Sequence, residues 1–149
     1  PLSLGKAACL REGEHIAIWA LGDFVSVAEQ IHHHLNSIYG IDITVVNGRF
    51  IKPLDEKLLK KHALTHDRII TLEDNVLAGG FGSAVVEFLQ DSNIQTPVSR
   101  LGWPDKFIPH GTDVDVLRRL CGLDFQGILN KVLSHLSPEI SSAKLVERT

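Results

Sequence analysis

The side chain best suited to chemistry in this sequence is Arg49, set in the loop-like run Asn47-Gly48-Arg49-Phe50-Ile51-Lys52-Pro53-Leu54-Asp55. A guanidinium is planar and permanently charged, and it can grip a phosphate with two parallel hydrogen bonds. The same spacing suits an arginine that pairs with a neighbouring carboxylate and braces its loop. A second stretch, Glu73 to Ser83, places Gly79 and Gly80 ahead of an apolar helical pattern, where free N–H groups could receive an anion. It is not a dinucleotide fingerprint: Val85 stands where the third glycine belongs, and no acidic residue follows at the required distance of about 20 residues. Close backbone packing, within the domain or against a neighbour, is the simpler use of these glycines. His110, in Pro104-Asp105-Lys106-Phe107-Ile108-Pro109-His110-Gly111, is the one histidine at a plausible site position, and a loop-bracing hydrogen bond is its plainer role.

Other candidates assemble into no catalytic set. Glu73 and Asp74 are adjacent on an extended segment and point to opposite faces, which places them poorly to act on one substrate atom. His32-His33-His34 cannot converge on a metal, because consecutive helical positions diverge by about 100°; His33 should face water and His34 should border the apolar stripe. Cys9 and Cys121 have no CxxC spacing, and Ser83 sits in no G-x-S-x-G elbow. The pattern is that of part of an active site, or of an interface.

The elements that must position these residues follow from periodicity. His15 to Leu21 is a short apolar run suited to a strand buried on both faces, and Lys6 to Arg11 is expected to pair with it as a hairpin edge strand. From Phe24 the period becomes helical, with Val27, Ala28, Ile31, Leu35 and Ile38 on one stripe and Gly40 as a stop. Ile41–Val46 reads as a strand, a helix begins near Asp55 with Leu58, Leu59 and Ala63 inward, and Arg68–Leu72 reads as a third strand. A helix carrying Phe81, Val85, Phe88 and Leu89 follows Gly79-Gly80, and Pro97–Leu101 is a fourth strand. Thr112 with Asp115 resembles a capping box, and Phe125 to Leu136 makes a last apolar stripe. This βαβαβαβ rhythm predicts an α/β three-layer sandwich with a mostly parallel sheet and an antiparallel edge strand. Ligands in such sheets gather at the carboxyl ends of the strands, so the loops after Leu21, Val46, Thr71 and Leu101 share the functional edge. The domain is expected over residues 1–136, with residues 137–149 a polar tail.

Composition agrees with one folded domain: 149 residues, 44% hydrophobic and 22% charged. The net charge of -3, with no basic stripe, argues against a nucleic-acid partner. No apolar run is long enough to span a bilayer, so no membrane partner is expected. Two isolated cysteines suit a reducing compartment. Met is absent throughout, the first position included, as expected of a segment of a longer protein.

Three stretches together carry a resemblance: Val45 to Asp55, Glu73 to Val85, and Leu101-Gly102-Trp103-Pro104-Asp105-Lys106-Phe107-Ile108-Pro109-His110-Gly111. In order and spacing the chain resembles the C-terminal domain of the 1-deoxy-D-xylulose-5-phosphate synthases, within the transketolase C-terminal domain family. The first two motifs are shared with transketolases and with 2-oxoacid dehydrogenase β subunits; the third, with Gly122-Leu123-Asp124, selects the synthases. Asp23 replaces a small hydroxyl residue and Trp103 an aliphatic one. The resemblance implies a parent transferase that condenses pyruvate with glyceraldehyde 3-phosphate, releasing carbon dioxide, and so feeds isoprenoid and thiamine biosynthesis. It implies thiamine diphosphate and Mg²⁺ as cofactors of that parent, with neither bound by this segment, whose sequence lacks the Gly-Asp-Gly diphosphate motif and the activating Glu. It further implies a homodimer, contacts with the remaining domains of the parent, an Arg49 contact to the substrate phosphate, and a cytoplasmic or, in a plant or alga, plastid location. The isolated segment is expected to be inactive. The rival readings are a dehydrogenase β-subunit or transketolase C-terminal domain, and a non-catalytic dimerisation module.

Overall fold

The computed structural model describes residues 2–106, 111 and 113–138. Its elements run β1 (Ala8–Arg11), β2 (Ile16–Ala20), α1 (Phe24–Tyr39), β3 (Thr44–Asn47), α2 (Glu56–Thr65), β4 (Arg68–Val76), α3 (Phe81–Asp91), β5 (Val98–Trp103), α4 (Val114–Leu120) and α5 (Phe125–His135). The strands form one sheet in the order β1-β3-β2-β4-β5, in which β1 is antiparallel to β3 and the other neighbours are parallel. Because strand side chains alternate between faces, Ile16, Ile18 and Ala20 of β2 pack toward α1 and α5, while Ala17 and Trp19 pack toward α2 and α3. The result is the expected three-layer α/β sandwich. Each large aliphatic chain so buried, such as Ile31 or Leu35, contributes about 1.5–3 kcal/mol of transfer free energy.

Local signals set the helix ends. The α1 stripe ends at Gly40, whose φ of 64° is left-handed and whose N–H bonds back to the Asn36 and Leu35 carbonyls. Asp55 caps α2 by accepting from Leu58 N–H, and its second oxygen accepts from Ala7 N–H at 3.0 Å, tying the N-terminal segment to the helix.

The structure corrects several sequence-based expectations. Strand β1 lies at the antiparallel edge but pairs with β3, not with β2 as a hairpin. Both edges of β2 are taken by parallel partners, and Gly13 and Glu14 are held by hydrogen bonds to Thr44 Oγ1 and the Asp42 carbonyl. Strand β3 starts at Thr44, because Ile41 N–H closes the exit from α1 on the Leu35 carbonyl. Strand β4 continues past Leu72 to Val76, which pairs with Trp103 after an irregularity in register. Ile38, placed on the α1 stripe by period, is exposed. Helix α4 is capped by Asp113, which accepts from Asp115 N–H; Thr112 lies outside the described residues, as does the expected polar tail from residue 139 onward.

Candidate functional site

Parallel β3, β2, β4 and β5 direct their carboxyl ends to one edge of the sheet, and the strand order reverses between β2 and β4, where chains leave to opposite sides. Four loops meet along this edge. Arg49 stands just after β3, exposed, with φ 59°. Its conformation is fixed from both sides: its N–H bonds to Asn47 Oδ1 at 3.0 Å, and Phe50 N–H bonds to the Gly48 carbonyl at 2.6 Å, closing a three-residue turn about Arg49. The neighbouring carboxylate that could have neutralised it is not there: none of the ion pairs among the described residues involves Arg49. Among the described residues the guanidinium therefore stands on a constrained loop without an ion-pair partner.

The loop is seated by Gly48, which is buried and bonded through N–H to the Ala20 carbonyl. A Cβ there would stand 3.0 Å from Phe81 Cζ and 3.1 Å from Leu21 Cδ2, so any larger residue would need these side chains to give by a few tenths of an ångström.

Of the two uses read from sequence for the Gly79-Gly80 loop, the geometry fits close packing within the domain rather than reception of an anion. The first N–H groups of α3 are already taken by a side chain of the same protein: Glu73 Oε2 accepts from Phe81 N–H at 2.6 Å and Oε1 from Gly82 N–H at 2.8 Å. Glu73 is fully buried. It lies on the same face of β4 as Ile69 and Thr71, and so points under α3. Gly80 is the residue that makes room, since a Cβ there would collide with Glu73 Oε2 and stand 2.7 Å from the Val76 carbonyl oxygen. Gly79, at φ 70°, is exposed with open space around it. Arg49, Gly48, Phe81, Glu73 and Gly80 thus form one continuous packed path, in which the glycines serve approach within the domain. His110 lies outside the described residues.

Asp74 points away from Glu73 and clasps the far side of the edge. Its Oδ1 accepts from Trp103 Nε1 at 2.6 Å and its Oδ2 from Arg118 Nη2 at 3.2 Å, while the Arg118 guanidinium lies 5.2 Å above the Phe24 ring. These contacts join the ends of β4 and β5 and the start of α1 to α4. Sequence reading missed both carboxylate roles; the available signal was Glu73 itself, an acidic residue ending a fully buried strand pattern just before a glycine-led helix. His33 is exposed and His34 stacks edge-on against Phe125, whereas His32 is buried with Nδ1 2.9 Å from the Ile43 carbonyl oxygen. Among the described residues no group of His, Cys, Asp or Glu side chains could hold a metal ion, and none of their helices is long and apolar enough to cross a membrane.

A mostly parallel sheet with this strand order, helices on both faces and its loops gathered at one edge defines an α/β domain of the transketolase C-terminal type. The family described as "Transketolase, C-terminal domain" matches residues 5–128, and the chain belongs to it. Within that family it is 49% identical over 130 residues to the 1-deoxy-D-xylulose-5-phosphate synthase of Caldanaerobacter subterraneus subsp. tengcongensis, a match covering 87% of this chain and 21% of that protein. The synthase of Acidobacterium capsulatum is 46% identical over 136 residues, covering 91% of this chain and again 21% of the relative. The chain thus spans about a fifth of the length of these relatives. Among solved structures, a split-gene transketolase described as an inactive β4 tetramer superposes with a TM-score of 0.79 at 30% identity, over 91% of this chain and 42% of that one. The transketolase of Campylobacter jejuni shares the fold, with a TM-score of 0.60 at 22% identity over 87% of this chain and 18% of that one.

Proposed function

We propose that this chain is the C-terminal domain of a thiamine-diphosphate-dependent 1-deoxy-D-xylulose-5-phosphate synthase, and that Arg49 holds the phosphate of glyceraldehyde 3-phosphate. The observation that carries the site is the state of Arg49: exposed, unpaired among the described residues, and fixed by its own turn at the carboxyl edge of the sheet. A cation held there needs little reordering to meet a dianionic phosphate, and the fork geometry of its guanidinium fits two phosphate oxygens. The similarity to named synthases supports the substrate class.

Thiamine diphosphate, held through Mg²⁺, would supply the carbon–carbon bond chemistry of the parent enzyme. By the same family resemblance, the cofactor is proposed to sit in the remaining domains of the parent. This domain's share is to bind and orient the phosphate end of the acceptor and to give surface to a homodimer, in a cytoplasmic or plastid enzyme. No turnover is expected from the isolated chain.

The test is steady-state kinetics of the full-length enzyme. Arg49→Ala should raise the KM for glyceraldehyde 3-phosphate about 10- to 100-fold, the loss of a charge-assisted contact, and leave the pyruvate KM within about twofold. Equal rises in both constants would remove Arg49 from the phosphate. A full-length enzyme that folds, binds thiamine diphosphate and forms no deoxyxylulose phosphate would overturn the synthase reading in favour of a transketolase or dehydrogenase.

A further inference from the structure

The β1 side of the molecule carries a cleft that the reading above does not use. Strand β1 ends the sheet and pairs only with β3, so its outer backbone edge has no strand beside it among the described residues. Between that strand and α2 lies an open cleft of about 690 Å³. Ala7, Leu58 and Leu64 supply apolar surface, with Leu64 65% exposed although it belongs to a helix that packs on the sheet. The rim is cationic. Lys6, Lys57, Lys60 and Lys61 all line it, half of the chain's eight lysines in a protein whose net charge is -3.

These charges are left over by the fold. Lys57, Lys60 and Lys61 are exposed and enter none of the ion pairs among the described residues. The one carboxylate in the cleft is Asp55, which is buried and occupied by the N–H groups of Ala7 and Leu58, with Lys6 Nζ at 4.0 Å. Lysines on α2 beside the open edge, with Lys6 just before β1, work against pairing with a second copy of the chain, which would bring the same charges. The same lysines favour an edge partner of opposite sign. An extended peptide fits the remaining requirements: its backbone can satisfy the open edge, and its side chains alternate, so one set reaches the apolar floor while the other meets the rim.

We propose that this cleft takes an acidic, extended segment of a separate partner protein, which adds as a further strand along the outer edge of β1 with its apolar side chains against Leu58 and Leu64 and its carboxylates toward Lys57, Lys60 and Lys61. The site uses no Arg49 contact, and its test is run on the chain and on the full-length parent; peptide binding that the full-length parent lacks would give the edge to the parent's own domains and overturn the proposal.

Fluorescence anisotropy with an end-capped peptide of alternating Asp and Val should show saturable binding. The corresponding Lys-Val peptide should not bind, and the Asp-Ser peptide should bind more weakly because it lacks the apolar set. Raising salt from about 50 to about 300 mM should weaken the complex, as expected for screened pairs. The triple variant Lys57→Glu, Lys60→Glu, Lys61→Glu, checked for an unchanged far-UV spectrum, should lose about tenfold or more in affinity. Bound peptide should also slow amide hydrogen exchange within Ala8–Arg11. Binding that ignores the triple variant, or that leaves β1 exchange unchanged, overturns the proposal. If sedimentation shows a dimer whose β1 amides are protected without peptide, the edge belongs to a second copy and the proposal likewise fails.

Discussion

At φ 59° the Arg49 backbone occupies the left-handed region, which costs an L-residue with a Cβ about 1–2 kcal/mol. A glycine would avoid that cost while losing about 0.5–1 kcal/mol in chain entropy. The two balances predict that Arg49→Gly leaves the isolated chain as stable as wild type or up to about 1.5 kcal/mol more stable, while under the proposed phosphate contact the full-length parent loses its hold on glyceraldehyde 3-phosphate as completely as with Arg49→Ala. Urea denaturation of the chain and KM measurements on the parent check the two halves separately. A destabilised Arg49→Gly chain would mean that the guanidinium braces the loop after all. The place of Arg49 in a loop just after a buried strand was legible in the sequence. Its left-handed turn was not, since the turn depends on Gly48 closing onto Phe81 and Leu21 from three separate elements.

Helix α3 owes its start to β4 as much as to its own residues. Glu73 satisfies two N–H groups that an ordinary N-cap side chain would have served from the adjacent position, and Gly80 leaves the space its carboxylate fills. Glu73→Ala would strand two buried donors, a loss of about 2–4 kcal/mol; Gly80→Ala would drive a Cβ into the same carboxylate and cost about 1–3 kcal/mol. Both act through one contact, so in the double variant the Gly80→Ala penalty should shrink by at least about 0.5 kcal/mol, a coupling that chemical denaturation of the four proteins would measure. Strict additivity would place the two residues in separate roles. The helix itself was readable from the stripe of Phe81, Val85 and Leu89, and the glycines were readable as packing residues. What filled the helix start was not, because the acceptor arrives from across a turn and the sequence shows only an acidic residue at a strand's end.

Across the whole molecule, the alternation of strands and helices was legible because β2, β3 and β4 are each followed by a helix that buries an apolar stripe. The seat of β1 was not, since it depends on which sheet edges the other strands leave open, a property of the assembled sheet. The same holds for the polar contact at the centre of the α2 side. Trp19 is buried in β2, and its indole N–H, which can only donate, meets Nδ1 of buried His62 in α2 at 3.2 Å. Nδ1 must therefore accept, which requires the neutral ring. Burial pushes the His62 pKa down from 6.5 to about 4, with the charges of His66 and Lys61 adding to the effect and Asp55 opposing it. The folded state thus resists a proton that the unfolded chain takes up near pH 6.5, so this contribution to stability is complete above that pH and is lost as pH falls toward about 4. Urea midpoints should be level above pH 7 on account of this group and fall between about pH 6.5 and 4. In His62→Asn the amide oxygen can replace Nδ1 as acceptor from the indole without titrating. That variant should show a shallower fall over the same window, and an unchanged slope would move the acid sensitivity to other groups.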